Sequence, residues 1–209
     1  MDTDPTAKAA HADLAYLRGL VDNGGRNQMT LGLLLFAGGL IYGLQVLGHW
    51  AQATGALRLS GPGGLALGLG PTVVFLAFLS WVLWRERKHP VSGSANRATN
   101  AAFAAAGMAN LSMIAVFGMA AVRYHSLVMW EFYPAVVFAL QGAAWFVAFM
   151  LRRRAWLCVV SLGWFGTAVA LGAAIDTPDY PLIAAIGLLA WMAAPGLVIM
   201  RLARAEQAA

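Results

Sequence analysis

The apolar residues of this chain fall into six long runs, and every Asp, Glu, Lys and Arg lies outside them. The runs cover residues 29–50, 65–84, 98–122, 132–151, 155–175 and 182–200, here called TM1 to TM6. Each is roughly 20 residues long, the length an α-helix needs to cross the hydrocarbon core of a bilayer. In that solvent every backbone polar group must be satisfied internally, so each run is expected to be helical. Short links between runs make successive helices antiparallel neighbours and leave no room for a soluble domain. The predicted fold is an all-α integral membrane protein: a six-helix transmembrane bundle over residues 29–204 with a short tail at 205–209. Pro71 and Pro195 fall inside TM2 and TM6 and predict kinks there. Pro134 and Pro181 read as helix-start residues.

Residues 1–28 follow a different pattern. Ala10, Leu14, Leu17 and Val21 recur at i, i+4, i+7 and i+11, one face of a helix, with His11, Arg18 and Asp22 on the other side. Asp4 is a suitable N-cap and Pro5 a suitable first helical residue, and Asn23-Gly24-Gly25 reads as a stop. A short amphipathic helix over residues 4–22, separate from TM1, is therefore expected on the cytoplasmic face. Lys8 and Arg18 are offset by Asp13 and Asp22, so its polar face lacks the strong basic character of membrane-surface helices. Its stripe of Leu14, Leu17 and Val21 is read as a docking surface, for the bundle's own cytoplasmic end or for a protein partner.

Charge sets the orientation. Of the 14 Lys and Arg residues, 12 fall on one side if both chain ends are cytoplasmic, leaving Arg58 and Arg123 outside. Across short loops that asymmetry places the N- and C-termini inside. The net charge of +5 is accounted for by these topology signals, so nucleic acid is not expected as a partner. Membrane lipids are. Charged residues make up 11% of the chain and apolar ones 60%, the composition of a small multi-pass protein such as those of the bacterial inner membrane. The single cysteine, Cys158, lies in an apolar run and allows no intramolecular disulfide.

Three sets of residues are candidates for function. Gln45, Asn110 and Gln141 are amides within the spans that could line a polar cavity, although amides at that depth commonly bond a neighbouring helix. His49, His125, Glu131, Asp176 and Asp179 gather at span ends on the external side, where histidines and carboxylates could hold a metal or haem. Gly39 and Gly43 form a small-xxx-small pair in TM1 that suits close helix packing, within the bundle or between copies of the chain as a homo-oligomer.

The exclusions are firmer. There is no nucleophile elbow, glycine-rich phosphate loop or HExxH motif, and no span carries paired carboxylates or a lysine. Proton relays and ion-coupled pumps ordinarily need ionisable groups inside the membrane. No cofactor is called for. Three functional classes remain. The first is a non-enzymatic accessory, assembly or sensory subunit acting through a partner. The second is a transporter or channel for a neutral or lipid-like solute, and the third a haem- or metal-binding protein using the external cluster.

Overall fold

The computed structural model describes the backbone of residues 5–87 and 94–208 and the side chains of residues 28–87 and 97–205. Its helices are α1 Pro5–Ala53, α2 Gly61–Glu86, α3 Ser94–Tyr124, α4 Leu127–Arg152, α5 Ala155–Ala173, α6 Tyr180–Leu188 and α7 Ala194–Ala208. A π-helical turn, Leu189–Ala193, joins α6 to α7. Six stretches are long and apolar enough to span a membrane: Gln28–Ala53, Gly61–Glu86, Arg97–Tyr124, Leu127–Arg152, Ala155–Ala173 and Tyr180–Ala205. The chain is thus a polytopic α-helical membrane protein, with TM1 to TM5 carried by α1 to α5 and TM6 by α6, the π turn and α7.

Two local expectations are corrected. No break occurs at Asn23-Gly24-Gly25, because α1 is continuous from Pro5 to Ala53. Glycine costs about 1 kcal/mol relative to alanine in a helix, and here elongation from the long TM1 segment exceeds that cost. Leu14, Leu17 and Val21 lie on this helix, and their side chains are outside the described residues. Pro134 is not a helix-start residue. The turn between TM3 and TM4 shrinks to His125 and Ser126, which puts Pro134 well inside α4.

Such tight turns need special backbone geometry at helix ends. His125, Arg153 and Asp176 all adopt left-handed φ, at 49°, 53° and 62°. At His125 the result is a Schellman ending: Ser126 N donates to Ala121 O at 3.1 Å and His125 N to Val122 O at 3.4 Å. Arg153 N donates to Phe149 O at 2.7 Å in the simpler αL ending. These bonds satisfy carbonyls that would otherwise end the helix unpaired.

The bundle is built from two trios. TM1 stands between TM2 and TM6, and TM4 between TM3 and TM5. The trios meet at TM5 and TM6, whose backbones approach about as closely as those of TM1 and TM2 and less closely than the other packed pairs. Burial follows this plan. In TM6 39% of the most apolar stretch is buried, against 28% in TM1, TM4 and TM5 and 6% in TM2 and TM3. TM2 and TM3 are therefore outer helices. The core lies between the trios, around Leu35, Phe138, Trp145, Leu157, Trp164 and Ile199. Lipid gives no hydrophobic drive for helix association, so this core is held by packing and hydrogen bonds.

Candidate functional site

TM6 is the element on which both trios depend, and its chemistry begins with Pro195. Proline lacks an N–H, so the carbonyl four residues earlier, Trp191 O, has no α-helical donor. The indole of Trp164 on TM5 supplies one instead, Nε1 to Trp191 O at 2.9 Å. The Trp191 indole donates back across the seam to Thr167 Oγ1 at 3.1 Å, and Thr167 in turn donates to Gly163 O at 2.8 Å. The π turn at Leu189–Ala193 lies directly before the proline, where local widening of a helix is often tied to function. This seam is filled by rings. A Cβ added to Gly163 would collide with the Trp191 indole, and one on Gly187 would meet Phe138 Cε1 and Thr167 Cγ2, each at 2.6 Å. Phe138 lies against Trp164 with ring centroids 4.7 Å apart.

On its other side TM6 touches TM1 with almost no side chain between them. A Cβ on Gly39 would fall into the Ala193 backbone, with Ala193 Cα and Cβ both at 2.9 Å. One on Gly43 would lie 2.8 Å from Leu189 Cδ2, and one on Gly196 2.7 Å from Gly32 O. The small-residue face of TM1 is thus occupied by TM6 of the same chain, and self-association through it would have to displace TM6.

The span amides have separate surroundings. Gln45 Nε2 donates to Gly68 O on TM2 at 2.8 Å, within the turn that Pro71 interrupts. Asn110 Oδ1 accepts the Tyr133 hydroxyl at 2.8 Å, tying TM3 to TM4. Gln141 is half-buried on TM4, eight residues from Tyr133, or about 12 Å along the helix. Ser161, which is buried, donates to Gly142 O at 2.8 Å and ties TM5 to TM4.

Tyrosines add contacts that an inspection of amides alone overlooks. Tyr133 stacks on Trp130 at 4.9 Å. Tyr42 on TM1 meets Phe75 on TM2 edge-on, with ring centroids 5.2 Å apart.

At the end of the bundle that carries the TM3–TM4 and TM5–TM6 turns, Glu131 and Asp176 come together: Glu131 Oε2 accepts the Asp176 backbone N–H at 2.7 Å. The Tyr180 hydroxyl donates to the Glu131 carbonyl, so the start of TM4 is clasped to the TM5–TM6 loop. His125 is the left-handed residue ending TM3, and His49 lies near the end of α1. Asp179 precedes TM6 and accepts Ile183 N–H through its carbonyl at 3.0 Å. Among the described residues, no three His, Cys, Asp or Glu side chains gather closely enough to hold a metal ion. Comparison with known protein families, characterised proteins and solved structures finds no match to this chain.

Proposed function

We propose that this protein is a non-enzymatic membrane subunit that acts through a protein partner bound to the N-terminal part of α1. The observation that carries this reading is the continuity of α1. Beyond Gln28 the helix extends to Pro5, 23 residues or about 34 Å outside the span. A partner holding the stripe of Leu14, Leu17 and Val21 would move TM1 as one body with it. TM1 is locked to TM6 by glycine contacts, so such a movement would reach the centre of the bundle. The polar groups of the spans support the same reading, since Gln45, Asn110, Ser161 and Thr167 are engaged in bonds within the chain.

The test is co-purification from native membranes of the full chain, of a variant lacking residues 1–22, and of Leu14→Asp combined with Leu17→Asp. The expected result is that both variants insert but lose the co-purifying protein. Identical co-purification from all three overturns the reading. The distribution of basic residues supports a cytoplasmic side for both termini. Cysteine at Ser94 should then be shielded from an impermeant thiol reagent in intact cells, and cysteine at Gly55 or Thr177 should react.

Transport of a neutral or lipid-like solute is the second reading. It draws on the two-trio plan, in which units that meet along the TM5–TM6 seam could rock against one another. Reaction of cysteines at Asn110 and Gln141 with a water-soluble thiol reagent would mark a wet path and favour it.

A further inference from the structure

A shallow groove of about 350 Å³ opens between TM5 and TM6, lined by Gly163, Gly166 and Ala170 on one helix and Ile183, Ile186 and Trp191 on the other. Its mid-membrane end is chemically apolar, because the polar atoms there, Thr167 Oγ1 and Trp191 Nε1, are bonded to each other. Gly166 leaves its centre open: a Cβ there would meet nothing within 4 Å. From Gly163 to Ala170 the groove runs about 10 Å, long enough to receive a substantial part of one acyl chain.

The other end carries charge. Ala170 and Ile183 lie one helical turn from the loop at 174–179, through the bonds Ala174 N to Ala170 O at 3.1 Å and Ile183 N to Asp179 O at 3.0 Å. That loop exposes Asp176 and Asp179 and contains no Lys or Arg. A lipid seated in the groove would bring its headgroup to two carboxylates, which attract an ammonium and repel an anionic headgroup.

We propose that the groove holds one acyl chain of a phospholipid whose primary ammonium headgroup rests against Asp176 and Asp179. This site is independent of the partner reading. The full chain, stripped of lipid in detergent, is incubated with dioleoylphosphatidylethanolamine or dioleoylphosphatidylglycerol, and retained lipid is counted by native mass spectrometry. The expected result is one retained phosphatidylethanolamine, with phosphatidylglycerol retained roughly fivefold less, the ratio of order one surface charge provides. Gly166→Leu fills the groove and should remove the retained lipid. Gly172→Leu, on the same helix and equally open but outside the lining, should not. Asp176→Asn with Asp179→Asn should keep the bound chain and abolish the headgroup preference. Thermal melting without lipid checks that each variant is folded, and Ala170→Leu replaces Gly166→Leu if the latter melts early. Equal retention of the two lipids by the unmodified chain, or unchanged retention in the folded groove-filling variant, overturns the proposal.

Discussion

TM6 presents two sides built on opposite principles. Toward TM1 it has glycine against backbone: Gly39 on Ala193, and Gly196 on Gly32 and Phe36. Toward TM5 it has a ring against glycine, the Trp191 indole over Gly163, with Trp164 Nε1 donating to Trp191 O and Trp191 Nε1 to Thr167 Oγ1 across a wider gap. Both sides face a neighbour inside the same bilayer, so the difference is not one of solvent. It lies in what must move to admit a new atom. A backbone cannot yield without shifting its helix, whereas an indole can turn about two bonds. The TM1 side is accordingly rigid and the TM5 side adjustable, which suits a helix that joins two units.

The largest expected effect separates those two sides directly. Gly39→Ala and Gly163→Ala introduce the same methyl group, one into backbone and one against a ring. Overpacking typically costs about 1–3 kcal/mol, and Gly39→Ala should lie at or above the top of that range, with Gly163→Ala clearly below it. Thermal melting in detergent measures both. Gly39→Leu should give no folded protein, while Leu33→Ala, at a 36% exposed position, should melt close to the unmodified chain. Equal losses for the two alanine variants would erase the distinction between a rigid and an adjustable side.

Next in size is the loss of the indole bond. Trp145 and Trp164 are both 1% exposed, but Trp164 Nε1 has a partner and Trp145 Nε1 has none. Replacing each with Phe removes similar volume, so the comparison isolates the hydrogen bond. Trp164→Phe should cost about 1 kcal/mol more than Trp145→Phe, because it leaves the Trp191 carbonyl unsatisfied. Pro195→Ala restores a backbone donor to that carbonyl, and in this background the penalty for Trp164→Phe should shrink. A double-mutant cycle without coupling would show that Pro195 is not the reason for the Trp164 contact.

Smaller again are the interhelical bonds within the second trio. Ser161→Ala and Tyr133→Phe should each cost about 0.6 kcal/mol, the usual value for such bonds in membranes. The smallest effect is expected on TM2, where a Cβ at Gly64 or Gly70 meets open space. Alanine at either position should be neutral or slightly stabilising, since glycine is the poorer helix former. A marked loss at Gly70 would mean that TM2 faces a packed neighbour and not lipid.

Much of the fold was legible from the pattern of apolar runs alone. Six spans follow from run length, because a bilayer imposes one thickness on every helix. Span ends were less legible. TM2 begins at Gly61 and TM4 at Leu127, each several residues earlier than the apolar pattern implies, because polar and small residues can occupy helix ends near a membrane surface. The candidate site was legible only in part. Gln45 and Asn110 stand out as polar residues in apolar runs, but their partners, Gly68 O and Tyr133, carry no comparable mark. The Trp164–Trp191 contact had a faint signal in Pro195, four residues after Trp191, which strips that carbonyl of its donor. Which indole would fill the vacancy was not written in the spacing.

By itself, the sequence determined where the chain can cross a membrane, since that depends on local runs of side chains and on a thickness set by the lipid. The two-residue link His125-Ser126 also forced TM3 against TM4, whereas the longer link after TM2 did not bring TM2 against TM3, contrary to the expectation that all successive helices pack as neighbours. Only the tertiary structure decided that TM1 packs on TM6 and that TM2 and TM3 remain outside. Those choices depend on which surfaces fit at atomic distance. Gly39 needs Ala193 opposite it, and Trp191 needs the space above Gly163. Such complementarity belongs to pairs of residues about 150 and 30 positions apart, and no local pattern encodes it.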